Sequence, residues 1–154
     1  MLVATNTGLD KLNMKTGLFQ RVAPRLADST FSLPAEMAVN VLYRDSRDRI
    51  WIGTWLDGLF CYCPGTGKLR QYKHSAEDPS SISADKITSI LEDTGGYWIG
   101  THSGGLNFYN EQEDQFIQYN TQKGLPNDVV FGIQKDNEGA IWVSTMKGLA
   151  RLDK

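Results

Sequence analysis

The chain has 154 residues, 40% hydrophobic and 22% charged, with a formal net charge of −2. That composition excludes a disordered polymer, and the lack of any run of about 18 apolar residues excludes a membrane-spanning helix within it. Lys and Arg are scattered rather than arranged in a stripe, and with a pI near 5.6 the chain is a poor match for a phosphate backbone, so nucleic acid is not an expected partner.

Taken in chain order, the first strand-like phrase is LVATNTGLDKL from Leu2, which turns at Asn6-Thr7. The same plan returns as IWIGTWLDGLF from Ile50, YWIGTHSGGLNF from Tyr97 and IWVSTMKGLARL from Ile141. Trp98 follows Trp51 by 47 residues, Trp142 follows Trp98 by 44, and Leu2 stands 49 residues before Trp51 in the place of a Trp. A period of about 40 to 50 residues is that of a propeller blade. A helical solenoid would need apolar residues three and four apart, whereas these apolar runs are short, rich in Ile, Val, Trp, Tyr and Thr, and cut by Gly.

The third copy shows the plan of one repeat, with strands expected at 87–93, 97–101, 105–110 and 115–120. The turns between first and second strands read DSRDRI, DTGGY and DNEGAI, in which Asp bonds the backbone ahead of it and Gly, or Asp48, takes positive φ. Between third and fourth strands stand NMKTGLF, CPGTGKL and NEQEDQF, again tight reversals. Two positions after each Trp the residue is small, as Ala4, Gly53, Gly100 and Ser144, which predicts that a neighbouring repeat packs closely there. Thr5, Thr54, Thr101 and Thr145 follow in turn. Apolar residues on both faces of each strand predict sheets covered on both sides, as when they stack radially, with Trp wedged toward the next blade. The fold class is therefore all-β: one domain over 1–154, a partial β-propeller of four-stranded antiparallel blades. It holds about three and a half repeats, over approximately 1–37 (partial), 38–85, 86–128 and 129–154 (partial). Cys61 and Cys63 sit two apart on one strand face, without the chain reversal a disulfide needs, and read as free thiols.

GLPNDVVFGIQKDNEGAIWVSTMKGL, with the earlier SSISADKITSILEDTGGYWIGTHSGGLNFYN, resembles the two-component regulator propeller repeat, and the resemblance covers essentially the whole chain. The resemblance implies a sensor ectodomain of a bacterial hybrid histidine kinase that detects an oligosaccharide or related nutrient. It places that region in the periplasm, as the extracytoplasmic part of an inner-membrane receptor, and a ligand would reach the kinase by shifting blade or domain placement. The departures are Leu2 for Trp, Asp48 for Gly, and Cys63 where Asn13, Asn110 and Asp153 begin the other turns. Three and a fraction repeats also cannot close a seven-bladed ring. The open end faces are accordingly expected to pair with other blades of the parent chain or to self-associate, and no leader pattern marks the first residues.

No catalytic residue, cofactor or metal is expected. CPGTGKL has neither the first Gly nor the Ser/Thr of a phosphate loop. Asp45, Asp93 and Asp136 lack a calcium-loop ladder, and His74 and His102 have no ligand at metal spacing. No local motif activates Cys61, and Glu92 and Asp93 point to opposite faces of a strand. What remains are the tips between second and third strands, which vary while the Thr before them and the Gly-Leu after them do not. Candidate ligand-binding residues are Trp55, Asp57, His102, Ser103 and Lys147, with Trp55 suited to stack on a sugar and Asp57 to hold a hydroxyl. Against this stand an exposed turn that binds nothing, a purely structural protein–protein module, and a propeller lyase or hydrolase, for which only His102 with Asp57 qualifies.

Overall fold

Each repeat folds because its apolar runs are too short for helices and are separated by turns that reverse the chain. The computed structural model describes residues 1–5, 7–21 and 37–152. Blade one holds β1 (Leu2–Thr5), β2 (Gly8–Leu12) and β3 (Phe19–Arg21); blade two holds β4 (Val39–Arg44), β5 (Ile50–Thr54), β6 (Leu59–Cys63) and β7 (Lys68–Tyr72). Blade three holds β8 (Ile87–Asp93), β9 (Gly96–Thr101), β10 (Leu106–Asn110) and β11 (Gln115–Tyr119), and blade four β12 (Val130–Lys135), β13 (Ile141–Thr145) and β14 (Gly148–Leu152). Strands pair with their sequence neighbours in four antiparallel sheets, so the all-β partial propeller is what forms. Asn6 and Asp153, two of the predicted turn residues, lie outside the described residues.

The turns behave as their residues require. Asp48 takes φ 62° where Gly95 and Gly139 take 83° and 90°, a conformation Asp tolerates better than most side chains. At the other reversal Gly17, Gly67 and Asp114 take φ 71°, 69° and 57°. Asn13 and Asn110 accept from backbone N–H groups two and three residues on.

Packing between blades uses the two faces of each second strand. On β5, Ile52 turns toward blade one and meets Leu9, Met37, Val39 and Phe60. Trp51 turns toward blade three, into a layer with Leu59, Cys61, Ile87, Tyr97, Tyr109 and Phe116. Trp98 begins the next layer with Leu106, Val130, Ile141 and Val143. The Gly two residues after Trp51 and Trp98 gives room to the first strand of its own blade and to that of the next. A Cβ on Gly53 would lie 2.4 Å from Val41 Cγ1 and 2.6 Å from Ile87 Cγ2; on Gly100 it would lie 2.3 Å from Ser89 Oγ and 2.6 Å from Val130 Cγ1. A bulge at the start of β4, β8 and β12, not foreseen from the sequence, sits at this level.

The indoles share a second feature. Trp51 Nε1 donates to Asp45 at 3.0 Å, Trp98 Nε1 to Asp93 at 2.9 Å and Trp142 Nε1 to Asp136 at 2.8 Å. The recurring turn Asp therefore caps its own turn and also fixes the wedge of its own blade. Where Leu2 replaces Trp, a crevice of about 430 Å³ remains between blades one and two, lined by Lys11, Leu42, Tyr43 and Ile50. Trp51 and Trp98 are 0% and 8% exposed, but Trp142, on the outward face of blade four, is 38% exposed.

Asp45 is the centre of a polar junction between blades two and three. Buried at 4% exposure, it accepts from Trp51, from Arg49 Nε at 2.7 Å and from the Tyr97 hydroxyl at 2.8 Å, while Arg49 Nη1 reaches Glu111 of blade three at 2.6 Å. Burial favours protonated Asp45, yet the bonds from Trp51, Arg49 and Tyr97 outweigh it and hold the carboxyl at about 2. Burial and the bond to Asp45 push the Tyr97 hydroxyl up.

Trp51→Ala is expected to cost about 3 to 5 kcal/mol and Trp142→Ala about 1 kcal/mol, because only the first ring is enclosed; chemical denaturation of the two variants checks this. Because the folded Asp45 carboxyl titrates below its unfolded value, its contribution, of order 2 kcal/mol, is present above about pH 4 and disappears as pH falls toward about 2. Urea midpoints across that window should fall for the wild type, and fall less steeply for Asp45→Asn, which starts lower at neutral pH.

Candidate functional site

The tips between second and third strands are built around the invariant threonine. Thr5, Thr54, Thr101 and Thr145 donate through Oγ1 to the carbonyls of Gly8, Gly58, Gly105 and Gly148 at 2.8 to 2.9 Å. The same oxygens accept from the backbone N–H of Asp57 at 2.8 Å, Gly104 at 3.0 Å and Lys147 at 3.3 Å. Gly58 and Gly105 take φ 75° and 79° and pass so near Tyr72 and Tyr119 carbonyls that a Cβ would lie 2.3 Å away. Thr and Gly thus close the turn from within, through bonds that do not use the side chains of Trp55, Asp57, His102 or Ser103.

Backbone bonds tie these tips to the segments that enter each first strand. Trp55 N–H donates to Ala38, His102 to Lys86 and Met146 to Val129, each at 3.0 Å, and Gly58 N–H of blade two reaches Asp85 at 3.1 Å. One end of the fold is therefore a continuous surface running across blades.

On that surface the structure brings Trp55 and His102 together from adjacent blades, with ring centroids 5.8 Å apart. Trp55 is 41% exposed. Lys86, which the sequence reading did not single out, lies with Nζ 3.4 Å from the Trp55 ring centroid. Nothing in its local sequence marks it, because it reaches the tip of blade two from the lead-in to blade three. Asp57 is half-buried; its carbonyl accepts from Gln71 Nε2 at 2.9 Å. Ser103 is exposed beside His102, and Lys147 is exposed on the tip of blade four. Among the described residues the Asp57 carboxylate, Ser103 hydroxyl and Lys147 ammonium have no hydrogen bond or ion pair, so each is available to a ligand. A recess of about 430 Å³ bounded by Ala38, Val39, Asn40 and Trp55 adjoins the indole. Among the described residues no three His, Cys, Asp or Glu side chains gather as a metal cage.

The two component regulator propeller family matches the chain at residues 32–56 and 124–147, in agreement with the resemblance read from the repeats. A solved structure from B. thetaiotaomicron, described as the extracellular domain of a hybrid two component system, is 24% identical with TM-score 0.82, over 99% of this chain and 21% of that one. A second from the same organism, described as the extracellular domain of a one component system, is 26% identical with TM-score 0.72, over 99% and 20%. Virginiamycin B lyase from Staphylococcus aureus, 14% identical with TM-score 0.62 over 99% and 54%, shares the fold alone. The chain thus spans about a fifth of the length of the first two structures. No curated protein matches.

Thr54→Val, which removes both hydroxyl bonds of the turn but leaves the Thr54 N–H bond to the Gly58 carbonyl, is expected to cost about 1 to 2 kcal/mol. Trp55→Ala is expected to cost about 0.5 to 1 kcal/mol, the value of an exposed cation–π contact. Thermal unfolding of the pair separates the scaffold from the tip it carries.

Proposed function

We propose that this chain of two-component regulator propeller repeats belongs to the extracytoplasmic, ligand-sensing region of a bacterial signal-transduction receptor, and that its tip end recognises an oligosaccharide or related nutrient. The observation that carries the sensor reading is the family match over two segments, residues 32–56 and 124–147, supported by the 26% identical extracellular domain that matches 99% of this chain. The saccharide reading rests on the tip itself. An exposed indole offers a flat apolar face, while Asp57 and Ser103 offer an uncommitted acceptor and hydroxyl for sugar hydroxyls. Lys86 covers one face of Trp55, so a sugar stacks on the other or displaces the ammonium.

A ligand bridging Trp55 and His102 would bind two blades at once. It would favour one relative placement of those blades, and a shift of that kind is the form in which a rigid sensor passes on occupancy. No catalytic step is assigned to the segment, since Asp57 and His102 stand on different blades and, among the described residues, no hydrogen bond joins their side chains. On the outward face of blade four Leu149 is 67% exposed, whereas its counterparts Leu59 and Leu106 are each 0% exposed. That face is suited to another blade, from the parent chain or a second copy.

Titration with a panel of neutral and acidic oligosaccharides, followed by tryptophan fluorescence, tests the reading. A saccharide that binds is expected to do so about tenfold more weakly to Trp55→Ala, the loss of one stacking contact of about 1.4 kcal/mol. Undiminished binding by that variant, or turnover of the bound sugar, would refute the assignment, and light scattering on the same samples reports whether copies pair.

A further inference from the structure

The end of the sheets opposite the tips holds a groove of about 890 Å³ between blades two and three, floored by Cys61, Cys63, Tyr72 and Tyr109 and flanked by Lys68 and Arg70. Its origin is visible in the repeat. In blade three Trp98 pairs across the sheet with Phe108, which pairs in turn with Ile117, and the Phe108 ring packs 4.8 Å from Trp98. In blade two the same row reads Trp51, Cys61, Arg70. A thiol replaces a benzyl group and a cation replaces an isobutyl-sized chain. Blade three therefore shows, with its own side chain, the shape that blade two lacks.

The flanking charges are unevenly committed. Arg49 at the inner end is saturated by Asp45, Glu111 and Tyr97. Arg70 gives one nitrogen to Asp114 and lies 5.0 Å over the Tyr72 ring. Among the described residues the Lys68 ammonium has no ion pair. The floor is neutral: burial pushes the Cys61 thiol up to about 12, and Tyr72 and Tyr109 share a hydrogen bond of 2.8 Å between their hydroxyls. Glu111, which also lines the groove, is already paired with Arg47 and Arg49, so an aromatic-floored groove with an unpaired ammonium at its edge suits a ring that bears an acid.

We propose that this groove is a second binding site, separate from the tip surface, for a small aromatic carboxylate. The ring takes the place that the Phe108 side chain occupies in blade three, against Cys61, Tyr72 and Tyr109, and the carboxylate meets Lys68 and the free edge of Arg70. The groove lies across the junction held by Asp45, Arg49 and Glu111, so its occupant touches both blades.

Phenylacetate is the probe, with acetate and benzyl alcohol supplying the charge and the ring alone, and binding is read from backbone amide shifts of this chain. Phenylacetate is expected to shift the amides of β6 and β7 around Cys61 and Tyr72, acetate to shift none, and benzyl alcohol to bind up to about fivefold more weakly, the upper range of one exposed ion pair. Cys61→Phe copies blade three, plugs the slot and should abolish binding with no loss of melting temperature. Arg70→Ile copies the other member of the row and should erase the preference for phenylacetate over benzyl alcohol, so a folding defect in one variant leaves the other decisive. Unchanged phenylacetate binding in Cys61→Phe or Arg70→Ile, shifts confined to other strands, or no shift at millimolar phenylacetate would each overturn the proposal.

Discussion

An indole held by a carboxylate of its own turn is the contact on which this chain depends. A large ring gains most by burial, but its N–H must keep a partner when water leaves. The Asp at the turn satisfies that need inside the same blade, so the wedge is aimed before the next blade arrives. The neighbouring Gly then lets the first strand of the next blade approach to contact distance, with Ile87 against Gly53 and Val130 against Gly100. Aim and clearance together set the stacking of blade on blade.

The junctions so formed are not alike. Between blades two and three the wedge meets Tyr97 at 4.4 Å and Tyr109 at 5.8 Å, and its Asp recruits Arg49 and the Tyr97 hydroxyl. Between blades three and four Asp93 accepts instead from Lys135 of the following blade at 2.7 Å, with Ile141 where Tyr97 stands in the copy before. Between blades one and two, Leu2 fills less of the space. A common plan thus tolerates a junction built on a polar network, one with a single cross-blade ion pair and a looser one, because each needs only its wedge and its close approach.

The two ends of the sheets divide the remaining work. At the tip end Thr and Gly close every turn through their own atoms, which leaves Trp55, Leu56, Ser103 and Lys147 exposed to solvent. At the other end the Asp turns are drawn into the blade junctions, and side-chain identity there changes packing directly. The row Trp51, Cys61, Arg70 in place of Trp98, Phe108, Ile117 therefore borders a groove, whereas differences among the tips fall on exposed side chains.

Much of the fold was legible because it is local and repeated. Period, strand chemistry and the Asp48 and Gly turns depend on neighbours along the chain, and four copies of one phrase show which positions are constrained. The pairing of each Asp with the Trp five or six residues on was present in the spacing of Asp45, Asp93 and Asp136, but turn chemistry alone accounted for those acids and concealed it. Lys86 over Trp55, the approach of His102 and the groove beside Cys61 were not legible, since each joins side chains of different blades. The sequence by itself determined the blade, its turns and the face on which each Trp lies, because strand alternation and backbone φ are local properties. Only the tertiary structure decided which side chains meet across blades, because Lys86 with Trp55, Trp55 with His102, and Cys61 with Tyr109 are far apart in sequence and meet only when one blade packs on the next.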